Sequence, residues 1–140
     1  MSVVQSVEAT MLAQARRGLR QLMAVAAARA PGLGKVEDLQ IAGAAGPLRA
    51  RYYEAADPMD APLIVFFHGG GFVTCDIDTH DSICSWLAKS SQGRVLSVDY
   101  RLAPETPFPG QIEDARAACA WAFENAQRFG ASPARIAVAG

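Results

Sequence analysis

The sequence contains few histidines and cysteines. Its only histidines are His68 and His80, and its three cysteines are Cys75, Cys84 and Cys119. The cysteines form neither a close pair nor a spacing typical of zinc ligands, and two histidines add little to such a set. We therefore predict free thiols in a reducing, cytoplasmic compartment, and no metal site.

The chain also lacks an excess of charge and a long hydrophobic run. Its 13 basic and 14 acidic side chains give a formal net charge of −1. No basic stripe is present to meet a phosphate backbone, so nucleic acid is not an expected partner.

The apolar run over residues 22–28 is too short to span a bilayer and begins too late for a secretory signal, so no membrane association is predicted. The content of 51% apolar and 19% charged residues is that of a globular protein.

Apolar residues near the N-terminus recur at steps of three and four, as they do along one face of a helix. This predicted apolar face consists of Val4, Val7, Met11, Ala15, Leu19, Leu22 and Ala26. The pattern predicts one or two amphipathic helices over residues 2–30, broken or bent near Gly18 and stopped by Pro31 and Gly32. We divide the chain into this helical segment, residues 1–34, and a core, residues 35–140.

Short strands and helices alternate through the core. Strands are predicted over residues 36–42, 48–53, 63–67, 94–98 and 136–139, and helices over residues 79–90 and 111–129. Strand 63–67 is apolar throughout, as suits a strand that is buried on both faces. The alternation predicts an α/β fold with a parallel sheet and helices on both faces.

Each of the two core helices has a predicted buried face. Asp78 or Thr79 is expected to cap helix 79–90, whose buried face is predicted to contain Ile83, Trp86 and Leu87. Small residues are predicted to bring helix 111–129 close to the sheet, and Gly130 to end it. This small-residue face consists of Ile112, Ala115, Ala118, Ala122 and Ala126.

A glycine-rich segment, His68-Gly69-Gly70-Gly71-Phe72, follows strand 63–67. Consecutive glycines allow positive φ angles and leave N–H groups uncovered, so such a loop can direct several donors at one oxyanion. Phosphate binding is the competing function, but a P-loop requires Lys followed by Ser or Thr, and a dinucleotide loop requires G-x-G-x-x-G at a helix start. Neither is present. A plain tight turn remains the alternative on this segment alone.

A second segment, Asp99-Tyr100-Arg101-Leu102-Ala103-Pro104-Glu105, follows strand 94–98. Together with the His-Gly-Gly-Gly loop it resembles the hormone-sensitive-lipase family of bacterial-type carboxylesterases, which have the α/β-hydrolase fold. The similarity extends from about residue 48 to residue 140. It implies that residues 35–140 are the N-terminal part of the α/β-hydrolase sheet. Residues 1–34 match the family only in being helical, since family members carry helices there as part of a cap.

The resemblance implies a role for each residue of the two segments. Gly70 and Gly71 are expected to provide oxyanion-hole amides, whereas His68, Gly69, Asp99, Arg101 and Glu105 are expected to support the site structurally. Arg101 is expected to pair with Glu105 or to bond loop backbone. Phe72 and Val73 are candidates for substrate contact, and the expected reaction is hydrolysis of small-molecule esters with short to medium acyl chains, without a cofactor.

No serine of the sequence stands in G-x-S-x-G, the turn that carries the nucleophile of this fold. We therefore expect the triad Ser, acid and His to be absent from this chain, which would be inactive alone. Three explanations are open. The chain is part of a longer esterase, or a truncated product that swaps elements with a copy of itself, or a small-molecule-binding module without catalysis. Because strand 136–139 would present an apolar sheet edge, the isolated chain is predicted to be insoluble or oligomeric.

Overall fold

The structure, a computed structural model, describes residues 3–26 and 28–140. Its elements in chain order are α1 (Val3–Ala26), β1 (Leu33–Gly43), β2 (Gly46–Ala55), β3 (Leu63–Phe67), α2 (Asp81–Ser91), β4 (Arg94–Val98), α3 (Gly110–Asn125), a short 3₁₀ segment (Ala126–Phe129) and β5 (Ile136–Ala139). Strands β3, β4 and β5 have the predicted bounds, whereas β1 and β2 are longer than predicted. None of the helices in the described ranges is both long and apolar enough to cross a bilayer.

The five strands form one mixed sheet in the order β1-β2-β4-β3-β5. Strands β1, β2 and β4 pair antiparallel, and β3 pairs parallel with both β4 and β5. The predicted parallel sheet is therefore confirmed for β4, β3 and β5, which helices α2 and α3 connect. A tight turn at residues 44–45 makes β1 and β2 a hairpin, which adds the antiparallel part.

Alternating side chains of the strands enter two separate hydrophobic clusters, one on each face of the sheet. On one face, Leu63, Val65 and Leu96 pack with α3 and the 3₁₀ segment. On the other face, Phe66 and Val95 pack with α2. The prediction that both faces carry helices is confirmed. Of the predicted small-residue face, Ala118, Ala122 and Ala126 are fully buried, but Ile112 is exposed.

Helix α2 differs from its prediction in its start and in its buried face. It begins at Asp81 after His80, and no side chain caps it, because Thr79 instead closes a turn by accepting the amide of Asp76 at 2.9 Å. Of the predicted face, Leu87 packs against the core, but the prediction is wrong for Ile83 and Trp86, which are 48% and 47% exposed. The residues that α2 buries are Cys84, Ser85 and Ala88, whose small side chains allow the helix to lie close to β2 and β4.

Helix α1 is continuous, so the predicted break near Gly18 is wrong, and α1 ends at Ala26, before Pro31. Its half-buried stripe lies about one residue away from the predicted face and contains Leu12, Arg16, Leu19 and Met23. The exposed side chains include Val7, Met11 and Leu22 of the predicted face. Residues 2 and 27, and the side chains of Val4 and Ala26, lie outside what the structure describes.

Candidate active site

The two motifs meet at one edge of the sheet because β3 and β4 are parallel and in register. Phe67 pairs with Val98, so His68 and Asp99 both follow directly from adjacent strand ends. In open α/β sheets, ligands bind beyond the carboxyl ends of the strands. The structure thus brings together the segments that the sequence analysis singled out.

The glycine loop, residues 68–74, folds into a closed turn. Three consecutive residues have positive φ: Gly70 at 124°, Gly71 at 62° and Phe72 at 64°. The Gly70 carbonyl accepts the Val73 amide at 3.2 Å and the Thr74 amide at 3.0 Å, and the Thr74 hydroxyl at 3.0 Å. A Cβ at position 70 would lie 2.2 Å from the Thr74 carbonyl oxygen, so both the φ angle and the space require glycine there.

The amides at the tip of this loop are not used by the turn. Among acceptors in residues 3–26 and 28–140, none receives the N–H of Gly70, Gly71 or Phe72. A Cβ built on Gly71 meets no atom within 4 Å, so this residue faces open space. It borders an apolar groove of about 300 Å³, which is also lined by Phe108 and Ile112.

A second groove, of about 260 Å³, lies alongside and extends toward His68 and Tyr100. Phe72 lines both grooves and is 54% exposed, a position that suits the predicted substrate contact. Val73 is half-buried and lines neither groove. Its carbonyl accepts a hydrogen bond from Arg16 instead.

His68 braces the loop from below. Its Nδ1 lies 2.8 Å from the Gly69 carbonyl oxygen, its ring stacks on Tyr100 with centroids 4.4 Å apart, and its own carbonyl accepts the Tyr100 hydroxyl at 2.6 Å. Burial lowers the pKa of His68, so the ring is neutral at pH 7 and donates from Nδ1 to Gly69. These contacts fit the structural role expected of His68.

Asp99 lies close to the other ring nitrogen of His68. Its Oδ1 is 3.9 Å from Nε2, and Nε2 has no hydrogen-bond partner among the described residues. Burial raises the pKa of Asp99 to about 6, against a smaller opposing effect of Arg49. Arg49 is the cation beside it, with Nη1 at 3.5 Å from Oδ2. A carboxyl group with this pKa exchanges its proton close to neutral pH.

Asp114 holds the second motif in place. This fully buried carboxylate accepts Arg101 Nε at 2.7 Å, Arg101 Nη2 at 2.8 Å, the Arg101 amide at 3.1 Å and the Ala44 amide at 3.2 Å. The predicted pairing of Arg101 with Glu105 is therefore wrong. Glu105 pairs with Arg16 of α1 instead, and Arg101 also reaches the Gly110 carbonyl at 3.4 Å.

Two residues of α1, Arg16 and Arg20, reach the site, and the sequence analysis did not find them. Arg16 contacts both loops, and Arg20 binds the carboxylate of Asp76 with Nε at 2.8 Å. Their spacing of four residues puts them on one face of the helix. That spacing is the only sequence feature that could have indicated them, since their partners lie more than 50 positions away.

Comparison with known proteins decides the family. A family model described as alpha/beta hydrolase fold matches residues 64–140. The chain belongs to the hormone-sensitive-lipase-like family of α/β-hydrolases. This membership confirms the family and the fold that the two motifs predicted, and the five-stranded sheet is a partial version of that fold.

The family relatives are esterases and lipases by name. Carboxylic ester hydrolase LipN of Mycobacterium tuberculosis is 50% identical over 106 residues, which make up 75% of this chain and 28% of that protein. Esterase LipI of the same organism is 50% identical over 109 residues, 76% of this chain and 34% of that protein. A hyperthermophilic esterase from Pyrobaculum calidifontis superposes with a TM-score of 0.84 at 40% identity, covering 92% of this chain and 43% of that one. The chain thus spans less than half the length of each of these proteins.

Proposed function

We propose that the full-length protein carrying this chain hydrolyses carboxylic esters, and that the amides of Gly70 and Gly71 bind the oxyanion. The observation that carries this proposal is the position of those amides. They lie at the carboxyl edge of the sheet, beside an apolar groove, on a turn whose own hydrogen bonds use the Gly70 carbonyl and leave its N–H free. Family membership and the names of the relatives support the same reaction class.

In the proposed reaction a serine hydroxyl attacks the ester carbonyl and a histidine takes the proton. Negative charge develops on the carbonyl oxygen, where the Gly70 and Gly71 N–H groups stabilise it. The alcohol leaves, and water releases the acid from the acyl-enzyme. We infer that the serine, the histidine and its acid lie outside residues 1–140, because no serine here has the G-x-S-x-G context. This chain by itself is then inactive and requires the remainder of the hydrolase for catalysis. A copy of itself that swaps elements with it would complete the sheet but would not supply the triad.

The substrate class follows from the two grooves beside the glycine loop. Their volumes, about 260 and 300 Å³, suit the acyl and alcohol groups of a small ester with a short to medium chain. Residues 1–34 serve as the N-terminal cap in this proposal, since Arg16 of α1 binds both of the loops that border the grooves. The enzyme is a cytoplasmic one that uses no cofactor.

The test removes one donor without moving the loop. Proline at position 71 would delete the N–H, but its φ near −65° conflicts with the observed 62°. Replacing the Gly71 amide by an ester oxygen avoids that conflict, and ligation at Cys75 gives access to such a protein. We expect kcat for a p-nitrophenyl butyrate substrate to fall by about 10²- to 10³-fold.

Gly71→Ala is the matched control, because it retains the N–H and its Cβ meets open space. It should lose far less activity than the ester variant, although the positive φ costs it about 1 kcal/mol in stability. If the ester variant keeps the kcat of the parent, Gly71 is not an oxyanion donor. If the parent protein binds esters without turnover, the binding-module alternative replaces the enzyme proposal.

A further inference from the structure

Helix α1 is attached to the catalytic edge mainly through polar contacts. Its large apolar side chains Met11 and Leu22 are each 64% exposed, whereas the side chain of Arg16 is only 23% exposed. Together with Arg20, Arg16 reaches carbonyl and carboxylate groups of the loops that follow β3 and β4. The guanidinium groups of Arg16 and Arg20 therefore contribute to the orientation of α1 together with the half-buried Leu12, Leu19 and Met23.

Arg16 makes four hydrogen bonds to the two loops of the catalytic edge. Its Nε donates to the Val73 carbonyl at 2.8 Å, and its Nη2 donates to the Ala103 carbonyl at 2.8 Å. The Glu105 carboxylate accepts Nη1 at 2.7 Å and Nη2 at 3.0 Å. One planar group thus joins the cap helix, the glycine loop and the second motif.

The carbonyl of Val73 belongs to the turn that positions the oxyanion amides. The Val73 N–H donates to the Gly70 carbonyl at 3.2 Å, and the Ala103 N–H donates to the Phe72 carbonyl at 2.8 Å. Arg16 therefore binds the carbonyls of two of the three residues whose amides secure the glycine loop, the third being Thr74. Without Arg16, the Val73 carbonyl, the Ala103 carbonyl and the Glu105 carboxylate would lose the positive charge that they share.

The glycine loop needs such support because its backbone is strained. Phe72 carries a side chain at φ 64°, a conformation that is unfavourable for residues other than glycine and persists only when the surroundings impose it. Oxyanion donors accelerate a reaction only if they are already aimed at the oxygen before the charge develops. A contact that fixes residues 70–73 therefore acts on the rate even though it does not touch the substrate.

We propose that Arg16 is a positioning residue of the oxyanion hole. By linking α1 to the two loops of the catalytic edge, it holds the Gly70 and Gly71 amides in place. This inference rests on the proposed ester hydrolysis for its kinetic consequence. Its structural consequence, coupling between α1 and the glycine loop, is independent of that function. Lysine cannot replace Arg16, because a single ammonium group cannot match the fork that spans Val73, Ala103 and Glu105.

The experiment compares Arg16→Ala and Arg16→Lys with Arg17→Ala in the full-length protein. Arg17 is the adjacent, exposed arginine of the same helix, so its variant controls for the loss of one positive charge. We expect Arg16→Ala to lower kcat for p-nitrophenyl butyrate about 10- to 100-fold with KM changed less than about twofold. Arg16→Lys should remain impaired, and Arg17→Ala should behave like the parent.

Two further measurements distinguish positioning from a general loss of structure. In Arg16→Ala, amide hydrogen exchange should accelerate in residues 70–74 and stay unchanged in β3 and β4. In addition, guanidinium at a sub-denaturing concentration should restore part of the lost kcat, whereas methylammonium should not. Unchanged exchange in the loop, or equally faster exchange across the whole sheet, overturns the proposal. A parent protein without esterase activity refutes the proposed function, while the exchange comparison still decides whether Arg16 holds the loop.

Discussion

The two loops at the carboxyl edge of the sheet use their backbone groups in opposite ways. In the second motif, the amides of Asp99 and Ala103 donate to backbone carbonyls at 2.9 and 2.8 Å, and the amide of Arg101 donates to Asp114 at 3.1 Å. In the glycine loop, hydrogen bonds converge on the Gly70 carbonyl, and within the described chain no acceptor receives the amides at the tip.

This difference distinguishes amides that hold a loop in place from amides that are free to bind a ligand. Donors that are already bonded cannot bind a ligand, and donors on an unsupported loop are not held in one direction. The glycine loop keeps its donors free because other groups hold it: the Tyr100 hydroxyl binds the His68 carbonyl, and Ala103 binds the Phe72 carbonyl. The second motif is thus the rigid partner of the first. Four substitutions test this division of roles.

The largest effect should come from the carboxylate that holds the second motif. Asp114→Ala removes the acceptor of three Arg101 hydrogen bonds and of the Ala44 amide. These donors can turn to solvent, because Ala44 is exposed and the Arg101 side chain is 32% exposed. We expect the free energy of unfolding to fall by about 3 kcal/mol in urea denaturation, mainly through the lost charge-assisted hydrogen bonds.

Glu124→Ala is the matched control, because this carboxylate lies on the exposed side of the same helix. Its effect should stay within about 0.5 kcal/mol. If Asp114→Ala costs less than about 1 kcal/mol, the second motif is not the rigid partner, and the comparison between the loops fails.

Asp99→Asn should have a smaller effect that depends on pH. Burial raises the pKa of Asp99 from 3.8 to about 6, so the folded state binds this proton more tightly than the unfolded chain does. The associated stability is fully present below pH 3.8 and is lost as the pH rises through about 6. The difference between these pKa values corresponds to about 3 kcal/mol, which is the upper bound of the effect.

The asparagine variant cannot ionise, so it should be more stable than the parent at pH 8, and this advantage should shrink toward pH 4. Urea denaturation across this range measures the difference. Asp57→Asn, which removes an exposed carboxylate, controls for the loss of one negative charge. A stability difference that is the same at every pH would show that Asp99 is not desolvated as the structure indicates. His68 changes stability in the opposite direction, because burial lowers its pKa.

The sheet beside the site could be predicted from sequence, because β3 and β5 are continuous apolar runs between turns and β4 is mostly apolar. Strands β3, β4 and β5 have the predicted bounds, and their parallel pairing places His68 and Asp99 at one edge. The two motifs further predicted the family, since together they are more specific than either loop alone. Hydrophobic pattern and local motif were sufficient for this part of the molecule.

The contacts between distant segments could not be predicted in this way. Arg101 has Glu105 four positions away in the sequence, yet it pairs with Asp114. Asp114 lies on α3, which places its carboxylate beside the second motif. The apolar pattern of α1 indicated a face about one residue away from the half-buried one, because hydrophobicity does not describe the hydrogen bonds that Arg16 and Arg20 make to the loops. Similarly, α2 buries Cys84 and Ala88 rather than Trp86, because a small-residue face packs closer to the sheet.

The smallest expected effect comes from hydroxyl deletions in the two loops. Tyr100→Phe removes the side-chain donor to the His68 carbonyl, a buried hydrogen bond of 2.6 Å, and should cost about 1–2 kcal/mol of unfolding free energy. Thr74→Val removes one of three donors to the Gly70 carbonyl and should cost less, about 0.5 kcal/mol, because two amides remain. If Thr74→Val proves the more costly in urea denaturation, the glycine loop depends on its own side chains more than on the motif beside it.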